Sequence, residues 1–563
     1  MPARPRIATL LVVYCAALSA LYVFALVNAP LSLLSAAGHD DGLFIAMGRY
    51  LAARQWLGPY NEFTLAKGPG YPGFLALSYR FGLSSMLARA LFHCGAVALF
   101  VALCQRYLRS YLLGAILFTL LLWDPAAYLG QNLRILRDTI YYGQVLVAFG
   151  LLARALLGRN LGAGIIAGLF LGWTWLTREE GLWLLPGLAV LAAGGLYRAI
   201  VDRAVGRLAT AGLAAVATFA AVNGGFRAIN WRFYGAPAGV EHKEANFVRA
   251  IGAIHSVRSG EIKPLVSVTR ATRQMIYPVS RSFAELGPHL DGALGERWEK
   301  AICDAAHRET CGEIAGAIFA WALRDAAALA GHYRSPAQAS AFYGKIADEI
   351  SAACDKKELE CQRQFFAELP PYGWSQLASV PKRILDAVAM ALSARWQSVD
   401  GVPSLGLAEQ FRADLAFLHH PFVQQPEPAD SSELFAPAHY RTMSYRMREI
   451  VMRNFEFARV PLLIVGTIAT FACLVWWRAA FLDPPYVLAV AMWTLAASRI
   501  LLIALMDATF YVGTINPVYL APANFTMTAA SVLSIAAWLR LRGKRLKDNA
   551  ATPRLRPQAS ASG

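Results

Sequence analysis

"IATLLVVYCAALSALYVFAL", residues 7–26, decides how the rest of this chain is read. It holds twenty residues and no charged group. A helix of that length is about 30 Å long, the thickness of a bilayer's hydrocarbon core. Arg4 and Arg6 precede it, and basic residues stay on the cytoplasmic side. A cleaved signal peptide is the rival reading, but its apolar region is shorter, and Val27-Asn28-Ala29 makes a poor small-x-small cleavage site. The segment reads as a retained signal anchor.

The composition agrees. Of 563 residues, 56% are hydrophobic and 16% charged, too few charges for a soluble chain of this size. A net charge of +16 raises nucleic acid as a partner. Much of that excess, however, lies in short loops and a C-terminal tail beside apolar segments, where it sets topology, and no nucleic-acid-binding motif accompanies it. Further apolar stretches follow at 86–104, 111–123, 139–157, 161–176, 182–197, 208–226, 460–477, 486–505 and 518–539. The expected fold is mainly α: a polytopic membrane protein with about ten transmembrane helices.

With the N-terminus inside, each inner loop is basic: Arg106 and Arg109, Arg154 and Arg159, Arg198, Arg203 and Arg207, then Arg478. Four regions result. A transmembrane module spans 1–226 and carries a first outer loop at 28–85; an extracytoplasmic soluble domain spans 227–458. C-terminal transmembrane helices span 459–540, and a basic cytoplasmic tail spans 541–563. Both termini are then cytoplasmic, in a membrane read as a bacterial inner membrane. The large domain reads as mainly helical; Arg324 and Asp325 end the apolar run 314–323, which reads as an amphipathic or core helix rather than a span.

Cys15, Cys94, Cys104 and Cys473 fall in apolar spans, where a thiol is a small core residue. Cys303, Cys311, Cys354 and Cys361 all fall in the outer domain. Four cysteines allow three pairings; the spacing favours local bridges Cys303–Cys311 and Cys354–Cys361, suited to an oxidising compartment. A zinc site is the rival, but the spacings match no standard ligand pattern.

Directly after the first span comes "GHDD", residues 38–41. Asp40 is placed to cap a helix from Asp41 to about Leu57, its apolar face turned to the membrane surface and Arg49 and Arg54 turned away. A cap and a first-turn acid explain both aspartates without function. Three other outward stretches favour more. "GQNLRILRDTIYY" (130–142) puts Arg134, Arg137 and Asp138 at the mouth of a span. "WLTREEGLWLLP" (175–186) does the same with Arg178, Glu179 and Glu180, and "AKGPGYPGF" (66–74) sets Lys67 in a Pro/Gly turn. Cations gathered on the outer side beside acids suit a pocket that holds a phosphate while an aspartate handles a proton.

At these residues the chain resembles the GT-C glycosyltransferases, a polytopic class that includes protein O-mannosyltransferases and the lipid A aminoarabinose transferase. Asp40-Asp41 resembles their acidic pair on a first-loop helix. Lys67 takes the lysine position of a Lys-Pro-Pro-Leu-type turn, with Gly68 and Gly70 loosening the double proline. "RILRD" resembles the second acidic motif through Asp138, and "LTREEGLWLLP" a Leu-Thr-Lys-Gly…Pro segment with Arg178 for lysine. The resemblance covers roughly the first 200 residues, the region of 1–226, which becomes the catalytic module. It implies sugar transfer from a polyprenyl-phosphate donor to a lipid, glycan or protein acceptor on the extracytoplasmic face. Asp40 would be the general base, with Asp41 and Asp138 assisting it. Lys67, Arg134, Arg137 and Arg178 would hold the donor phosphate, with Glu179 and Glu180 supporting them. A divalent metal serves some relatives; the paired carboxylates could hold one, but there is no dedicated ligand cluster, and the site is read as metal-free. His242, His255, His289, His307, His332, His419, His420 and His439 are scattered and read as ordinary residues.

Two other classes stay open. O-antigen polymerases and ligases bring Arg and His from a large outer loop, roles in which Arg412, His419 and His420 can be cast; they need no acids in the first loop. A transporter or flippase places ionisable residues near the midplane, with Arg499 and Asp507 as candidates. The discriminator is where the polar cluster sits.

Overall fold

The computed structural model describes residues 3–35, 37–260, 263–303, 310–362, 374–393, 399–421, 426–427, 438–509 and 513–551. His307, Arg554 and Arg556 lie outside the described residues. Apolar helices form where the hydropathy marks them. α1 (Ala3–Val27) leads into a first loop carrying α2 (Asp41–Ala52) and α3 (Gly70–Arg80). Then come α4 (Ser85–Leu108), α5 (Tyr111–Leu122), α6 (Asp138–Leu156), α7 (Leu161–Thr177), α8 (Leu185–Val201) and α9 (Val205–Tyr234). Helices Ala438–Leu474, Pro484–Thr509 and Pro517–Ala551 close the chain. Among the described residues, eight segments are long and apolar enough to cross a bilayer, and α5 and α7 are shorter apolar helices. This is a polytopic, mainly α membrane protein.

Packing follows side-chain size. α7 presents Gly164, Gly168 and Gly172 to α9 at four-residue spacing. A Cβ on Gly168 would overlap Thr218 and the Ala215 carbonyl, so this stripe lets the two backbones approach closely. α6 is covered on nearly all sides, and Tyr142 on it stacks on Phe525 with ring centroids 4.3 Å apart.

The described residues between 227 and 458 pack as two different parts. The first, roughly 241–361, has its own core, including Phe247, Ile254, Phe283, Phe319, Phe342 and Ile346. Both local disulfides are present, with Cα separations of 4.9 Å for Cys303–Cys311 and 5.7 Å for Cys354–Cys361. The apolar 314–323 run lies largely in a core helix, Gly316–Leu329, as expected, and Arg324 and Asp325 are buried within that helix. The second part folds back onto the membrane helices. Helix Trp374–Leu392 lays Ala387 and Ala391 against Ile500, Ile503, Leu520 and Ala523. Val399, Phe411, Leu415 and Leu418 join the core shared by α1, α4 and α6.

α2 departs from expectation. It stops at Ala52 because Arg54 and Trp56 adopt left-handed backbone, with φ of 63° and 54°. Asp40 makes no side-chain capping bond. Nor does α2 lie simply on a membrane surface. Leu43, Phe44, Ile45 and Met47 are buried in protein, and Arg49, still partly exposed, pairs with Asp414 at 2.6 Å.

Candidate active site

Charged side chains from four stretches of the chain meet where the first loop crosses the ends of α6 and α7. The loop is held there by backbone: Ser32 N–H donates to the Leu133 carbonyl at 3.0 Å, and Leu405 N–H to the Leu33 carbonyl at 2.8 Å. Asp41 therefore opens α2 against the 130–137 stretch. It is fully buried and accepts from the Arg134 guanidinium and from the Ile135 N–H at 3.3 Å. Burial pushes its carboxyl up to about 6 against the pull of Arg134. Arg134, less completely buried, is held more firmly protonated by the same partner. The cost of desolvation falls on the acid.

Asp40 is different. Its side chain is 50% exposed and accepts from Lys67, which is buried. Burial acts upward on the Asp40 carboxyl, but Lys67, then Arg134 and Arg137, hold it below the ordinary carboxylate range. Lys67 Nζ lies 4.8 Å from the Phe44 ring centroid and 5.6 Å from that of Trp321. Two adjacent aspartates thus have separate environments, one open and one sealed.

The lysine turn needs its glycines. A Cβ on Gly68 would overlap the Leu176 carbonyl, and one on Gly70 would overlap Thr177. The turn presses against the end of α7, where Trp173 Nε1 donates to the Gly70 carbonyl at 3.0 Å. Gly68 N–H donates to Glu179 at 3.0 Å, and Arg137 bonds the other oxygen of Glu179. Asp138, at the first turn of α6, accepts from Arg178. Arg178 also donates to both Glu180 oxygens at 3.1 and 3.2 Å, and its guanidinium carbon lies 5.2 Å from the Tyr519 ring centroid. Burial pushes Glu180 up, but Arg178, Arg499 and Arg137 together drive it well below the carboxylate range.

The structure thus brings Asp40, Asp41, Asp138, Lys67, Arg134, Arg137, Arg178, Glu179 and Glu180 into one network. Arg499 joins it from helix Pro484–Thr509, 3.3 Å from Glu180 and donating to the Tyr519 carbonyl at 2.8 Å. A lone arginine in an apolar span was a visible signal for this role. His39 and His242 also flank the network, each with its ring packed on Trp321. Burial, then nearby cations, lowers His39 to about 4 and His242 to about 3, leaving both neutral at physiological pH. "GHDD" carried the hint for His39; nothing local marked Trp321 or Tyr519.

The residues named for other functions sit elsewhere or act otherwise. Arg412 and His419 are exposed, at the helix Ala408–Leu418 and its cap, and His420 is buried beyond it. Asp507 pairs with Arg383 at 3.3 Å and accepts the Gly513 and Ile515 N–H groups. Among the described residues no group of three or more His, Cys, Asp or Glu is arranged to hold a metal ion. Each acid in the network already faces a cation of the protein, so this donor set does not fit a divalent ion.

No family model matches the chain, and no curated protein matches it by sequence. Among solved structures it is similar to ArnT from Cupriavidus metallidurans in the apo state, at 13% identity and a TM-score of 0.28, covering 97% of this chain and 81% of that one. It is also similar to the same protein bound to undecaprenyl phosphate, at 14% identity and a TM-score of 0.26, covering 96% and 81%.

Proposed function

We propose that this chain is a GT-C-type glycosyltransferase that moves a sugar from a polyprenyl-phosphate donor to an acceptor hydroxyl on the extracytoplasmic face, with Asp40 as general base. The observation that carries this reading is the contrast in exposure. Asp40 is 50% exposed, whereas Glu180 is 34% exposed and the other acids of the network are more deeply covered. A base must touch its substrate, and Asp40 is the acid most open to one.

In the reaction the acceptor oxygen attacks the sugar's C1 and its proton passes to Asp40. The C1–O bond to phosphate breaks, and its electron pair stays on the phosphate oxygen. Lys67, Arg134, Arg137 and Arg178 surround the place where that charge grows, and cations aimed at developing charge lower the barrier. Buried guanidinium N–H groups without an acceptor also support an anion here: Nε of Arg178 and Nη2 of Arg499. Asp41, sealed under Arg134, fixes the start of α2 and so the position of Asp40. Asp138 and Glu180 hold Arg178; Glu179 holds Arg137 and the lysine turn.

The orientation proposed with this activity puts both termini in the cytoplasm of a bacterial inner membrane and residues 227–458 outside. The direct test is to incubate the purified chain with a panel of radiolabelled polyprenyl-phosphate sugars and a membrane-lipid or glycan extract as acceptor. Transfer from one donor, absent in Asp40→Asn, is the expected result. No transfer or donor hydrolysis from any of them would sink the reading.

A further inference from the structure

The 241–361 part of the chain meets the first loop beside the network, and the chemistry at His39 is not that of a phosphate site. His39 lies at the centre of three rings, with centroid distances of 4.6 Å to Trp321, 5.1 Å to Trp298 and 5.1 Å to Phe63. Trp298 and Trp321 come from the outer part, and Phe63 from the first loop. All four rings are part-exposed. Gly38, next to His39, is exposed, and a Cβ added there meets nothing within 4 Å, so the cluster borders open space.

Among the described residues, two buried polar atoms without hydrogen-bond partners sit among these rings. Asp325 has a side chain only 10% exposed. Its Oδ2 accepts from Trp298 Nε1 at 3.1 Å, while Oδ1 is buried with no hydrogen-bond partner. His39 Nδ1 is likewise buried and unpartnered. A buried acceptor left unpaired costs roughly 1–3 kcal/mol, so a ligand that brings hydroxyls to these atoms is favoured. Flat aromatic faces beside a few unsatisfied polar atoms suit a ligand with an apolar C–H face and a hydroxylated rim.

We propose that His39, Phe63, Trp298, Trp321 and Asp325 form a pyranose-binding subsite in which the indole rings take the sugar's C–H face and Asp325 and His39 take its hydroxyls. The subsite deepens the glycosyltransferase reading and rests on it. It adjoins the base directly: His39 precedes Asp40 in the chain, and Lys67, which bonds Asp40, lies over Trp321. Neutral His39 can donate from one ring nitrogen and accept at the other, so it serves a hydroxyl in either sense. The outer part of the chain thereby chooses the sugar, and the membrane module carries out the transfer.

The test uses the full-length chain in nanodiscs and saturation-transfer-difference NMR with methyl pyranosides of glucose, mannose, galactose and their 2-amino and 2-acetamido analogues. At least one should receive saturation through its ring protons. The signal should fall at least fivefold in Trp321→Ala and in Asp325→Asn, while the melting shift given by undecaprenyl phosphate stays as in the wild type. Should Trp321→Ala fail to fold, Trp321→Phe and Asp325→Asn carry the test, because both conserve size and shape more closely. The polyprenyl-phosphate form of the bound sugar displaces the glycoside if the subsite holds the donor's sugar, and leaves it bound if it holds the acceptor's; either result supports a sugar subsite. Saturation of no glycoside, or equal saturation in wild type and both variants, overturns it. Asp40→Asn separates the two claims. It should keep the glycoside signal while losing transfer, and transfer surviving in Asp40→Asn removes the base without touching the subsite.

Discussion

Lys67 donates to Asp40 from the far end of the first loop while its Nζ rests between the rings of Phe44 and Trp321. One side chain thus joins the start of α2, the glycine turn before α3 and the helix Gly316–Leu329. The ammonium is nearly sealed, and the carboxylate it holds is half open. Such a pair keeps Asp40 ionised and fixed in direction without burying it. The general-base role proposed for Asp40 needs both.

Asp40→Asn should reduce turnover on the order of a hundredfold or more, the usual scale for loss of a general base. Stability should fall as well, by about 1–3 kcal/mol, because the change leaves a buried lysine without its charged partner. The double change Asp40→Asn with Lys67→Met removes that orphan charge. It should recover most of the melting temperature and none of the activity. If Asp40 served structure alone, turnover of Asp40→Asn measured well below its melting temperature would stay near wild type.

The neighbouring aspartate gives a pH signature. Burial raises Asp41 to about 6, so its carboxylate is lost as pH falls through that value and Arg134 loses its partner. kcat/KM should therefore decline below about pH 6, and Asp41→Asn should flatten that limb while lowering the plateau. Stability moves the other way. A folded pKa above the unfolded one favours the protonated fold, so Asp41's contribution is fully present below the ordinary carboxylate range and is lost as pH rises through about 6. Activity and melting profiles between pH 5 and 7, in wild type and Asp41→Asn, check both slopes.

Hydropathy made the membrane helices legible because twenty apolar residues in a row have few other solutions in a folded chain. The acid and cation motifs were legible for a related reason: charges at the mouths of apolar spans stand out against their surroundings. Helix α2 was misread in its capping and its length because both depend on distant partners. Asp40 turned to Lys67 instead of its own helix, and left-handed residues at Arg54 and Trp56 carry no local signature. The return of residues 374–393 and 399–421 onto the membrane helices was hidden for the same reason: an amphipathic helix announces an apolar face but not what covers it. His39 beside Trp298 and Trp321 joins parts of the chain more than 250 residues apart, beyond any reading of spacing.

Gly68→Ala tests whether the turn is as tight as its contacts require. The added methyl would overlap the Leu176 carbonyl, a backbone atom with no rotamer to yield, so the turn or the end of α7 must shift. Overpacking of this kind costs about 1–3 kcal/mol. The displacement also moves Lys67 relative to Asp40. Turnover should fall at least tenfold with thermal stability reduced, whereas Gly73→Ala, on the same loop with open space around it, should leave both near wild type.

Orientation is open to direct measurement. Reporter fusions at Gly158, at Val205 and at the C-terminus should read cytoplasmic, and fusions at Gly260 or Ser340 external. Unreduced protein digested for mass spectrometry should yield peptides joined between Cys303 and Cys311 and between Cys354 and Cys361. A cytoplasmic signal from Ser340 together with free thiols at those cysteines would remove the extracytoplasmic site, because a reducing compartment does not sustain such bridges.

Arg178 separates binding from structure. It is sealed between Asp138 and Glu180 and faces Tyr519, so simple removal leaves buried acids short of a cation. Arg178→Ala should accordingly destabilise the chain by about 3–5 kcal/mol, which by itself would obscure any effect on the donor. Arg178→Lys keeps the charge but replaces a planar fork with a point donor. It should weaken undecaprenyl phosphate binding roughly ten- to a hundredfold, the value of a lost charge-assisted pair, with kcat changed less than KM. The double change Arg178→Ala with Asp138→Asn removes one of the orphan acids, while Glu180 keeps Arg499 as its partner. A phosphate-holding Arg178 predicts that this variant regains stability and still binds undecaprenyl phosphate poorly. An arginine present only to neutralise Asp138 predicts that binding returns with the fold. Calorimetric titration of undecaprenyl phosphate into both variants in nanodiscs decides between them.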